Sequence, residues 1–137
     1  MPFQLTKQPE PQTLPLLQLD AAGETTVTIR PATGTDELSL QEVTQASDYF
    51  YDIPDVGKVR ERRPAPAYLV NMRKAFLVMT DCNILDEKGK PLFVQGMTWD
   101  NFCAAWGLLP PEARAEIVAR IGEVNPHWAN FWSGVVG

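Results

Sequence analysis

The chain holds a single histidine, His127, so acid–base catalysis or activation of a nucleophile by imidazole would have to run through one residue near the carboxyl end. Set between Pro126 and Trp128, with no Ser or Cys nucleophile motif beside it, His127 reads as a partly exposed side chain. The two cysteines, Cys82 and Cys103, lie in no CxxC or comparable ligand spacing, and a zinc site would need His127 and carboxylates to converge from distant segments. Both sit in apolar helical patterns, which suits reduced, buried thiols better than a disulfide framework. Asp81, Asp86 and Glu87, beside Asn83 and Gly89, superficially suggest a calcium loop. The glycine and the closing acid fall at the wrong positions for one, and a polar turn accounts for them. No glycine-rich phosphate loop or GxSxG elbow occurs. The expectation is a protein that is not an enzyme, with no catalytic residue, no metal ligand and no cofactor, working by holding other chains.

Two features suit binding. Lys58, Arg60, Arg62 and Arg63, extended by Arg73 and Lys74, form an electrostatic patch that is read as a solvated loop or as the mate of an acidic protein. The formal net charge of −5 and the want of interleaved aromatics argue against a phosphate backbone as its target. The second feature is aromatic: Trp99 and Trp106 fall on one helical stripe, and Trp128, Phe131 and Trp132 on another. Such rings serve either as core or as a protein-docking surface, where Trp is strongly enriched, and these five are the partner-binding candidates.

The elements that would position them follow from punctuation and period. Residues 1–16 contain Pro2, Pro9, Pro11 and Pro15 and are expected to form an extended arm, leaving residues 17–137 as a single domain. Residues 16–19 and 25–30 flank a turn at Asp20 to Gly23 in a hairpin pattern, with Val27 and Ile29 on one face. A helix capped by Thr33 or Thr35 is predicted to run to about Tyr51, and a proline- and glycine-marked loop to fill 53–66. From 67 to about 84 a helix carries Leu69, Met72, Phe76 and Met79 on one stripe and Tyr68, Ala75, Val78 and Cys82 on another, which places it at the centre of the core. Asp86 to Gly89 is a turn. Thr98 caps a short helix through Leu108, and Pro110 and Pro111 open another with Ile117, Val118 and Ile121 inward and Glu112, Arg114, Glu116 and Arg120 outward. Asn125 and Pro126 start a last helical segment. The fold class expected is α+β but mainly α: four or five helices, a small N-terminal β-hairpin and the arm.

At 137 residues, 45% apolar and 21% charged, the chain has the size and composition of one ordinary globular domain. Neither a signal-like nor a membrane-spanning apolar run is visible, so no membrane is expected as a partner and a cytoplasmic location is expected.

The opening TVTIRPATGTDELSL, the central AFLVMTDCNI and the closing LPPEARAEIVARIGEVNP, in this order with a charged loop between, resemble the phage tail assembly chaperones over roughly residues 23–128. The resemblance implies a chaperone that covers the tape-measure protein and assists tail-tube assembly in a long-tailed phage. Its protein partners would be the tape-measure and tail-tube proteins, with homo-oligomerisation open, and its place would be the host cytoplasm. The physical logic is that a long helix with apolar stripes aggregates unless covered, and weak contacts repeated along it gain by multivalency. The alternative is a structural accessory protein of the phage head or tail that stays in the virion.

Overall fold

The computed structural model describes residues 2–4, 10–45, 47–63 and 65–128. Its elements run β1 (Gln12–Pro15), β2 (Thr26–Ile29), α1 (Gly34–Thr44), β3 (Ser47–Ile53), β4 (Gly57–Arg63), α2 (Ala67–Val78), β5 (Met79–Cys82), α3 (Trp99–Leu108) and α4 (Pro111–Val124), with a helical turn at 126–128. Helix takes 42% of the described residues and strand 22%, in two small sheets. The fold is therefore mixed α+β, and the expectation of a mainly α chain with one hairpin is corrected.

Three segments account for the difference. The expected arm gives up its end to the sheet: β1 pairs antiparallel with β2, Gln12 opposite Ile29 and Pro15 opposite Thr26. The first strand thus lies four residues upstream of the predicted one. Pro15 is tolerated because β1 is an edge and a proline there forfeits no inner ladder bond. Leu16, immediately after it, is fully buried. The connection to β2 is organised by Asp20, whose carboxylate accepts from the backbone N–H of Thr25 and of Ala22 and from the Thr25 hydroxyl. Those bonds hold its pKa below the ordinary carboxylate value.

Second, the helix expected to reach Tyr51 stops at Thr44, and a hairpin occupies 47–63, half of which reads as loop in the sequence. Tyr49, Phe50 and Tyr51 favour a pleated ribbon over a helix. Pro54 and Asp55 supply the turn, with Asp55 at φ 68° and the Val56 N–H donating to the Ile53 carbonyl at 3.1 Å. Gly57, at φ 95°, restarts the ladder opposite Ile53, where a residue with a Cβ would be strained. Third, the central helix ends at Val78 rather than near 84. β5 then pairs antiparallel with β2, which lies between β1 and β5.

The core forms between the inner face of this three-stranded sheet and the helices. Val27 and Ile29 of β2 meet Val70, Ala75 and Val78 of α2 and Ala113, Ile117 and Ile121 of α4 in one buried cluster. α2 is packed against α1, α3, α4 and β5, the central place that its two apolar faces require. α1 begins in a capping box: Thr33 Oγ1 accepts from the Asp36 N–H, and the Asp36 carboxylate accepts from the Thr33 N–H at 2.8 Å. The same carboxylate takes both Nη atoms of Arg30, at 2.5 and 2.8 Å, and Arg30 Nη2 also donates to the Leu77 carbonyl. One ion pair therefore joins the end of β2, the start of α1 and the end of α2.

Two further buried polar residues tie distant segments to α4. Glu116 was expected outward, but its carboxylate accepts from the backbone N–H of Gln18 at 3.0 Å and of Leu19 at 3.2 Å. Asn125 accepts from the Ala32 N–H and donates to the Arg30 carbonyl, closing α4 against the β2–α1 connection. Both satisfy backbone groups that the β-ladders leave over.

Candidate protein-docking surfaces

The structure divides the five aromatic candidates. Trp106 and Trp128 are each 4% exposed and belong to the core cluster, so in the folded chain their rings are not offered outward. Their burial follows from where α3 and the 126–128 turn pack: Trp106 stacks on Phe102 at 5.9 Å, and Trp128 closes over the α1 side of the core beside Leu40. Trp99 is half-buried, edge-on to Phe76 at 5.1 Å with the Arg73 guanidinium 4.2 Å above its ring. The cation covers one ring face and leaves Trp99 a rim residue. Phe131 and Trp132 lie outside the described residues.

The chemistry-bearing residues are placed as follows. Cys82 is buried and Cys103 half-buried, both as free thiols, and burial pushes each thiol pKa up, away from the reactive thiolate. His127 is exposed and its Nε2 lies 2.9 Å from the Glu37 carboxylate. Asp86 does form a polar turn: its Oδ1 accepts from the N–H of Lys88 and Lys90, and Leu85 bridges Pro91 across it. No cluster of three or more His, Cys, Asp or Glu with metal-holding geometry occurs among the described residues. Nor is any described helix long and apolar enough to cross a membrane. Lys74 is a buried cation that the sequence placed with the basic patch. Its Nζ donates to the Trp128 carbonyl at 3.2 Å, and burial lowers its pKa to about 8. It braces the carboxyl-terminal turn and is remote in character from a surface charge.

The remaining basic residues, Lys58, Arg60, Arg62 and Arg63, all fall on β4, a strand and not a loop. By register Lys58, Arg60 and Arg62 share one face with Phe50, opposite Asp52, Phe50 and Asp48 respectively. Arg63 belongs to the other face, where its guanidinium sits 4.2 Å over the Tyr49 ring and donates to the Tyr51 hydroxyl and to Glu61. The aromatics that the linear sequence did not interleave with these cations are supplied by the paired strand. Phe50 is 68% exposed, and among the described side chains no hydrophobic residue of the hairpin belongs to the buried core or packs against it.

A second apolar surface lies at the opposite kind of place, between the 84–92 turn and the α3–α4 junction. Ile84, Leu85, Leu92, Leu108, Leu109 and Pro110 line a groove of about 410 Å³, with Asp86, Glu87 and Lys88 at its rim. Leu85 is 57% and Leu108 73% exposed. α3 creates this exposure by its own period: Phe102, Ala105 and Trp106 turn to the core, and Leu108, the last residue before the Leu109 cap, turns away from it. Neither Leu85, Leu108 nor the Tyr49 to Ile53 run figured among the sequence candidates. The run of three aromatics in DYFYDI and the leucine pair before Pro110 are the signals that would have found them.

Comparison with family models, with curated proteins and with solved structures finds no match for this chain.

Proposed function

We propose that the protein is a binding protein of the tail assembly chaperone kind, which covers apolar stripes of a helical client such as a tape-measure protein. The observation that carries this reading is the leucine groove between residues 84–92 and the α3–α4 junction. A concave aliphatic strip with two strongly exposed leucines suits the apolar face of an amphipathic helix, and a rim of both charge signs offers it polar contacts. The resemblance in segment order supports the same class of client. Contacts of this size are individually weak, which fits a protein that must later release its client and gains affinity by occupying many sites along one chain.

The test is co-expression with a long amphipathic-helical client of the tape-measure kind. The wild-type chain should keep that client soluble and elute with it, whereas Leu108→Asp combined with Leu85→Asp should let it precipitate. Both leucines lie at the surface, so the variant should retain the wild-type circular dichroism spectrum and melting temperature. A client held equally well by the folded double variant refutes the groove as its site.

A further inference from the structure

We propose that the outer edge of β3 is the two-fold interface of a homodimer, in which β3 of one chain pairs antiparallel with β3 of a second copy. The inference is independent of the client-binding groove.

The starting point is that a two-stranded ribbon with no core beneath it is marginal in water, and three or more strands are ordinarily needed for independent stability. The β3–β4 sheet has only these two strands among the described residues, and none of its described hydrophobic side chains packs into the core. Among the described residues neither edge of the ribbon carries a further strand, and the two edges differ. β4 reads GKVRERR, with four bases, and long cations along an edge are the usual guard against strand addition. β3 reads SDYFYDI, seven residues with three consecutive aromatics and no base. It is the unguarded edge.

Symmetry and register then select the occupant. Two copies of β4 paired antiparallel about Arg60 would set Arg60 against the partner's Arg60 and Lys58 against the partner's Arg62, like charges directly opposite. Two copies of β3 centred on Tyr51 meet no such conflict. Tyr51 falls opposite the partner's Tyr51, Tyr49 opposite the partner's Ile53, and Phe50 opposite the partner's Asp52, while position 48 lies opposite position 54, past the strand end. Each cross-strand pair on the Tyr51 face is aromatic with aromatic or aromatic with β-branched, the pairings that stabilise sheets most. The register centred on Phe50 is excluded by contrast, because it sets position 48 against position 52, acid against acid. Val59 sits beside Tyr51 on the same face, so the resulting four-stranded sheet carries a continuous apolar strip. The antiparallel arrangement also sends the open ends of the two hairpins, where each joins its own chain, to opposite ends of the ribbon. A closed isologous pair is the commonest assembly, and it uses up the open edge.

The experiment is sedimentation of the full chain at micromolar concentrations, with cysteine crosslinking in a Cys103→Ser background. The expected result is a dimer, with Tyr51→Lys raising its dissociation constant by at least about tenfold, since that single change sets two ammonium groups face to face. Directly paired Cα atoms lie about 4.5 to 5.5 Å apart, within disulfide range, so Tyr51→Cys should crosslink on mild oxidation. Phe50→Cys, two residues out of register with its own copy, should not. The core spectrum should be unchanged in each variant, because the hairpin lies outside the core. A chain that remains monomeric overturns the proposal. So does a dimer that Tyr51→Lys leaves intact, or one in which Phe50→Cys crosslinks and Tyr51→Cys does not.

Discussion

Replacing Asp36 by Ala should cost about 3 kcal/mol of folding stability, and the figure follows from what one carboxylate does. Asp36 is 5% exposed, accepts both Nη atoms of Arg30, and closes the capping box of α1 through the Thr33 N–H. Breaking a buried ion pair by removing one partner costs about 3 to 5 kcal/mol, and losing a cap about 1 kcal/mol. The Arg30 side chain is 31% exposed and can regain water, which discounts the first figure and brings the total to about 3 kcal/mol. For a domain of this size that lowers the melting temperature by roughly 10 °C. Asp36→Asn retains an acceptor for the Thr33 N–H and should lose about half as much. Burial raises the Asp36 pKa, but the bonds from Arg30 and Thr33 outweigh it and the net value lies below the usual one. The unfolded chain therefore binds the proton more readily, so the contribution is fully present above the ordinary carboxylate pKa and is lost as pH falls through the lower folded value. Urea titration at neutral and acid pH measures both effects, and a cycle with Arg30→Met isolates the pair. A loss under about 0.5 kcal/mol, or an acid limb as steep in Asp36→Asn as in the wild type, would refute the reasoning.

Lys74 gives a pH dependence of the same sign in an alkaline window. Its pKa is about 8 in the fold against an ordinary 10.5, so the unfolded chain holds more protons between those values and stability should rise with pH across that window, by up to about 3 kcal/mol. Lys74→Met should flatten that rise in a denaturant series; an unaltered slope rules it out. Glu116→Ala strands the N–H groups of Gln18 and Leu19 and should destabilise by about 2 to 4 kcal/mol, with amide exchange quickening first at residues 18 and 19. Protection there equal to wild type would show that water replaces the carboxylate at no cost.

Much of the helical half of the fold is legible in local sequence. Thr98 caps α3, Pro111 opens α4, Thr33 caps α1, and the two apolar faces of α2 put it at the centre. These follow from interactions within one turn of chain. β5 was read as the end of a helix because MTDC continues the apolar period of α2, and only the vacancy beside β2 makes it a strand. The run at 47–53 continued α1 in the same way until its partner strand, with four bases, turned it into a ribbon edge. Trp106 and Trp128 are buried for a related reason: the sequence shows that they share helical stripes with other rings, but a stripe looks the same whether it meets the core or solvent.

What the sequence determined alone is therefore the set of local decisions: where helices start, which positions are apolar at which period, and where the chain turns at Asp20 and Asp86. What only the tertiary structure decided is which apolar groups remain uncovered. Leu85, Leu108 and Phe50 are no more hydrophobic than the buried Leu16, Leu109 and Phe102, and they differ only in what the rest of the chain brings against them. Burial is a property of contacts between distant segments, and no local pattern encodes it.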